Sequence, residues 1–364
     1  MQELSIKQFL SQEIKAFFKL KKSDRLWHIP VLASLCIGIP LLIGLAFDNV
    51  KSGLLASLSG LVILYIPTAN SIVSRMATML ICSFGFMVSY AVGLIFSFNP
   101  FVSTIVFGIF STMVYWINLY FKTKPPASFF FIMIASLASG MPHDLSSIPQ
   151  KIGLIAMGTM LACTLALLYS FLVKRKNHKK DAAIISDLLV KSKYADLVEA
   201  MIVGSFMFTS MLIGHVLKLQ NPYWIPISCL AVMQGVNLYH IWQRVIHRIL
   251  GTFLGLGLCW LFLSIVHSPF SICITIIVLQ FIIEILIVRH YALAVIFITP
   301  MTILLAEAAN PLILNPDLLI ATRFLDISIG SLIGAIGGWF VHNEKIRFYT
   351  TMKIRKAKLV VMGK

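Results

Sequence analysis

Acidic residues are scarce in this chain, with 14 Asp and Glu against 30 Lys and Arg in 364 residues. Charged residues make up only 12%, where a soluble domain carries roughly a quarter. No GxxxxGK[ST] loop, no HExxH and no GxSxG is present. The chain therefore lacks a phosphate cradle for ATP, a zinc-binding helix pair and a nucleophile elbow. Paired carboxylates in a polar stretch are missing too, so an enzyme is not expected. The six cysteines (Cys36, Cys82, Cys163, Cys229, Cys259, Cys273) show no CxxC or Cys/His spacing. They read as small apolar residues, and neither disulfides, a metal nor a cofactor is expected.

Apolar residues, by contrast, are abundant: 59% of the chain is hydrophobic and the mean hydropathy is +0.90. The fold class this predicts is an all-α polytopic membrane protein. Segmentation gives about twelve transmembrane helices, near 30–47, 53–70, 76–97, 101–121, 126–141, 152–173, 196–217, 224–239, 249–266, 270–288, 292–306 and 322–341. Each approaches the roughly 20 apolar residues needed to cross a bilayer. Outside alternate spans, 26 Lys and Arg fall on one side and four (Lys51, Lys151, Lys218, Arg323) on the other. That asymmetry predicts a multi-pass membrane protein with both termini cytoplasmic. The net charge of +16 is thus topological, and nucleic acid is not expected as a partner. No cleavable signal peptide is expected, because the first apolar span is long and follows a basic lead.

The expected organisation is a cytoplasmic amphipathic lead (1–28), a first six-helix half (29–173), a cytoplasmic linker (174–195), a second six-helix half (196–342) and a basic cytoplasmic tail (343–364). Within the lead, residues 4–22 carry apolar side chains near one helical face, which suits a helix in the membrane interface or a plain topogenic segment. Arg75 and Arg248 each open a helix of small residues, 173 residues apart. An even number of helices per unit would make the two halves parallel repeats, a layout of many secondary transporters.

Charges inside spans are costly and are functional candidates. Arg323 and Asp326 lie three apart, on one helical face. They read either as a local ion pair or as an anion-attracting arginine beside a proton carrier. Lys151 lies near the repeat-equivalent place of Arg323, and two such cations suit an anion path. Glu284 is a second candidate proton carrier, or a side chain snorkelling beside Arg289. Arg75 and Arg248 sit where an anion would be captured from the cytoplasm, and also where topogenic arginines are expected. Thr252 reads as a substrate contact or as a hydroxyl bonded to its own helix. Gly251 and Gly255, and Gly330, Gly334 and Gly338, form small faces for close helix packing. Tyr223 and Trp224 fit an aromatic belt, and Glu307 an outer mouth or a loop cap.

The second half carries a set of ordered motifs. These are YW-x-P from Tyr223 to Pro226, R-x-L-G-T-x-x-G from Arg248 to Gly255, Y-A-L-A-V from Tyr291 to Val295, and R-x-x-D followed by G-x-x-x-G from Arg323 to Gly334. At these residues the sequence resembles the fusaric acid resistance-like family, the aromatic acid exporters. The first half keeps Arg75 but lacks the Gly-Thr pair. The resemblance implies a secondary transporter of the bacterial inner membrane that exports small organic anions, such as aromatic carboxylic acids, coupled to the proton gradient. It leaves open two alternatives, an anion channel similar to plant malate channels and a non-transport scaffold of the cell envelope. A second copy of the chain or an envelope adaptor protein remains open as a partner.

Overall fold

The computed structural model describes residues 26–67, 71–172, 197–265, 268–307 and 316–343. Residues 1–25 of the lead, the linker, and the tail beyond Asn343 lie outside the described residues. Those described fold as α-helix, short 3-10 turns and loops. Twelve α-helices are described: α1 His28–Ala46, α2 Val50–Ser59, α3 Ile72–Ile95, α4 Pro100–Tyr120, α5 Phe129–Ser139, α6 Ile148–Leu172, α7 Leu197–Val216, α8 Trp224–Met233, α9 Leu238–Ile265, α10 Pro269–Leu286, α11 Tyr291–Glu307 and α12 Pro316–His342. A 3-10 segment, Gly60–Tyr65, prolongs α2. Eight of these helices are long and apolar enough to cross a membrane, which makes this an all-α, multi-span membrane protein. The shorter ones are α2, α5, α8 and α11, the second and fifth helices on either side of the 174–195 segment.

Local chemistry explains the boundaries. Asn49 caps α2 by accepting from the Ser52 N–H at 3.1 Å. Asn99 accepts from the N–H groups of Phe101 and Val102, with Pro100 at the first helical position of α4. Ser268 and Ser271 form a capping box at α10, again with proline at the first position. Both devices satisfy donors that a helix start leaves without partners. The span expected at 224–239 is instead cut at Met233, and the helix expected from 249 begins at Leu238. Gln234 and Gly235 interrupt α8, and the Asn237 side chain accepts from the His240 N–H at 2.8 Å to start α9. At about 1.5 Å per residue, the ten residues of α8 cover about 15 Å, half of a bilayer core.

Helix neighbours recur on both sides of the linker. α2 packs on α6 as α8 packs on α12, and α3 on α5 as α9 on α11. α3 also packs on α6 as α9 does on α12, and α4 pairs with α7 as α10 pairs with α1. The last two pairs join residues from opposite sides of the linker. The main apolar cluster likewise combines α1, α2, α3 and α6 with Ile276, Leu279 and Ile283 of α10. A second cluster joins Phe107 of α4 and Ile132 of α5 to Val203, Met207 and Met211 of α7. Neither six-helix group buries its core alone.

Close approaches rest on glycine. A Cβ on Gly334 would lie 2.6 Å from the Cys229 carbonyl oxygen, and one on Gly330 would press into the Ile225 carbonyl. These two glycines seat α12 on α8. A Cβ on Gly251 or Gly255 would stand 2.9 or 2.6 Å from the carbonyls of Ala292 or Ile296, so α9 lies against α11 in the same way. Gly338 meets the Ile241 side chain of α9. Without a hydrophobic drive between helices in lipid, such contacts supply the packing energy.

Candidate functional site

A cavity of about 1360 Å³ runs between the two helix groups. It follows α2 from Lys51 to beyond Tyr65, and the α5 region from Phe121 to Pro142. The Tyr65 hydroxyl donates to the Ala127 carbonyl at 2.7 Å, tying the end of α2 to the loop before α5. One mouth therefore carries Lys122 and Lys124, and the opposite one Lys51 and Lys151.

The walls differ in chemistry. α2 offers Leu54, Leu55, Leu58, Leu61 and Leu64, whereas α9 to α12 offer Arg244, Arg248, Thr252, Gln280, Glu284, Thr299, Thr302 and Arg323. Among the described residues, seven cationic side chains and one carboxylate, that of Glu284, line the cavity.

Arg248 is buried; its guanidinium donates to the Ser228 hydroxyl of α8 at 3.3 Å and, more weakly, to the Tyr291 hydroxyl at 3.5 Å. One turn earlier on α9, Arg244 donates to the Ala231 carbonyl at 2.8 Å and lies over the Tyr291 ring, 5.1 Å from its centre. Ala231 is in the last turn of α8, so Arg244 satisfies an end carbonyl that the short helix leaves open. Thr252, fully buried, has no hydrogen-bond partner for its hydroxyl among the described residues. On α10, the Gln280 amide donates to Glu284 at 3.0 Å, while its own carbonyl oxygen is buried without a partner there. Arg323 donates to the Thr302 hydroxyl at 2.9 Å and stacks over Trp224, 3.1 Å from the ring centre.

Of the sequence-derived candidates, Arg248, Thr252, Glu284 and Arg323 thus share one cavity. Arg75 and Asp326 do not line it, although both are buried. Arg75 lies 5.9 Å from the centre of the Tyr169 ring on α6. Asp326 sits one turn along α12 from Arg323. The glycines Gly251, Gly255, Gly330, Gly334 and Gly338 lie between helices, away from the lining. Tyr223 and Trp224 face the cavity, and the Glu307 side chain is outside what is described. Sequence reasoning missed Arg244, Gln280, Tyr291 and Ser228. The signal for two of them was present, since Arg244 and Gln280 each stand one turn before a candidate already chosen, on the same face.

Residues 209–337 match a protein-family model described as fusaric acid resistance protein-like. The chain is 33% identical over 141 residues to the uncharacterized membrane protein YvaC of Bacillus subtilis (strain 168). That match spans 39% of this chain and 22% of the relative's length. No solved structure matches.

Proposed function

We propose that this chain, fusaric acid resistance protein-like over residues 209–337, is a secondary transporter that exports small organic anions in exchange for protons. The carrying observation is the charge of the cavity: among the described residues, seven cations and one carboxylate line it. Two of those cations, Arg248 and Arg323, are buried, and buried cations in a low dielectric attract anions far more strongly than they would in water. The aromatic lining, with Tyr291, Trp224 and Phe130, suits acids with a planar body, such as aromatic carboxylic acids. The mouth with Lys122 and Lys124 faces the cytoplasm under the positive-inside asymmetry. Arg248 binds the carboxylate, and Thr252 donates its hydroxyl to it. Glu284 carries the proton, because it is the acidic group in the cavity wall; Asp326 balances Arg323 locally on α12.

The recurrence of helix neighbours supports two parallel six-helix repeats, twelve spans in all, with the cavity at their seam. In that reading α5 and α8 are broken helices beside the path. The glycine contacts of α8 with α12 and of α9 with α11 keep the second repeat rigid while the α4–α7 and α1–α10 pairs slide.

The test uses purified protein in liposomes loaded with a panel of aromatic and aliphatic acids. Export of at least one acid that rises with an imposed pH gradient is expected. Flux indifferent to the gradient would make the chain an anion channel, and no flux from folded protein would favour a scaffold.

A further inference from the structure

We infer that Arg244, Arg248 and Arg323 form a three-station anion relay laid along α8, with Arg244 as the entry station. This rests on the export reading above and adds a route and a residue to it. Each guanidinium touches α8 at a different level: Arg244 at the Ala231 carbonyl, Arg248 at the Ser228 hydroxyl, Arg323 at the Trp224 ring. These contact points are three and four residues apart, so about 4.5 and 6 Å along the helix axis at ~1.5 Å per residue. A carboxylate held by one guanidinium is therefore within reach of the next.

The stations are individually weak by construction. Two of the guanidiniums rest on aromatic faces, Arg244 on Tyr291 and Arg323 on Trp224. All three already spend an N–H on a fixed protein partner. Each consequently offers an anion only part of its donor fork. A path that must release its cargo needs several moderate sites rather than one deep well. At the middle station, Arg248 has a buried Nε without a partner among the described residues, and the Thr252 hydroxyl, likewise without one there, is one turn further on the same helix. That station therefore holds the anion longest. Glu284 lines the same cavity and, once deprotonated, repels the anion.

The two outer stations have different jobs, and the difference is measurable. In inverted membrane vesicles with an imposed pH gradient, uptake of radiolabelled 4-hydroxybenzoate from the medium reads the cytoplasmic mouth. Losing one charge-assisted contact costs roughly tenfold or more in affinity. R244Q is thus expected to raise KM about tenfold with Vmax within about twofold, and R244K to raise it less. R323Q is expected to leave KM within about twofold and lower Vmax about tenfold, since its station acts after capture. R248Q removes both binding and uptake. Melting temperature in detergent is recorded for each variant. An R244Q protein with unchanged KM but lowered Tm would reduce Arg244 to a cap on α8 and overturn the relay. So would R323Q behaving like R248Q, which means one site. Wild-type vesicles that take up no label overturn the export reading itself, and with it the relay.

Discussion

Lys151 and Arg323 each stand seven residues before a glycine (158 − 151 and 330 − 323). Gly158 seats α6 against Ala56 and Ser59 of α2, and Gly330 seats α12 against Ile225 and Ser228 of α8. Both cations line the cavity, and the surroundings then diverge. Arg323 is enclosed by Trp224 and Thr302, whereas Lys151 is partly exposed and reaches the Pro142 carbonyl at 3.5 Å. The same contrast runs along the third helix of each group. Counting back 25 residues from the capping prolines Pro100 and Pro269 reaches Arg75 and Arg244. By that register Arg248 stands opposite Met79, not opposite Arg75. The shared layout thus fixes where helices meet, and the guanidiniums and the lining carboxylate stand on one wall. The first group supplies the leucine wall, the mouth lysines and hydroxyls such as those of Tyr65 and Thr78; the second supplies the guanidiniums, the hydroxyls beside them and Glu284.

The largest expected effect breaks this contrast at its centre. Replacing Arg248 with Gln removes a buried cation from the wall, and a charge-assisted contact is worth about 1.5–3 kcal/mol. Anion flux in proteoliposomes should fall by at least about tenfold, while M79R, at the counterpart position buried in the apolar core of the first group and off the cavity lining, restores none of it. If M79R rescues R248Q, the two walls are interchangeable and the contrast is lost.

A stability measurement comes next. Gly330→Ala drives a methyl group into the Ile225 carbonyl, and Gly158→Ala drives one into the Ala56 carbonyl. Overpacking of this kind costs about 1–3 kcal/mol, so both variants should melt several degrees lower in detergent. The losses should be of similar size, because packing is what the halves have in common. A neutral Gly158→Ala would show that only α8 with α12 is tightly seated.

Arg75→Gln is expected to have the smallest effect on transport. Arg75 is off the cavity and against Tyr169, so KM for the exported acid should stay within about twofold while Tm falls by a few degrees. A tenfold rise in KM would return Arg75 to the substrate path and make the two arginines a matched pair.

Much of this architecture was legible in the sequence, for identifiable reasons. Approximate span positions follow from apolar length and from the basic stretches between spans. The motifs from Tyr223 to Gly334 pointed to the half that builds the polar wall. The break in α8 was not legible, because residues 224–239 read as one apolar stretch, and the Asn237 cap on α9 and the Arg244 contact to the Ala231 carbonyl appear only in the fold. Nor was the choice between Glu284 and Asp326 legible. Both are buried carboxylates on helices, and only packing of α10 beside the seam turns Glu284 toward the cavity. The 173-residue spacing of Arg75 and Arg248 does not fix their register for a physical reason: a shift of one helical turn keeps the same face, so periodicity alone cannot choose between Arg244 and Arg248 as the counterpart of Arg75.

The claim that the polar wall exchanges anion for proton is tested most directly by comparing wild type with Glu284→Gln in proteoliposomes. Wild type should accumulate the acid above equilibrium under a pH gradient and lose that accumulation with a protonophore. Glu284→Gln should still exchange labelled for unlabelled acid at a similar rate but accumulate none. Accumulation by Glu284→Gln equal to that of wild type would contradict the account.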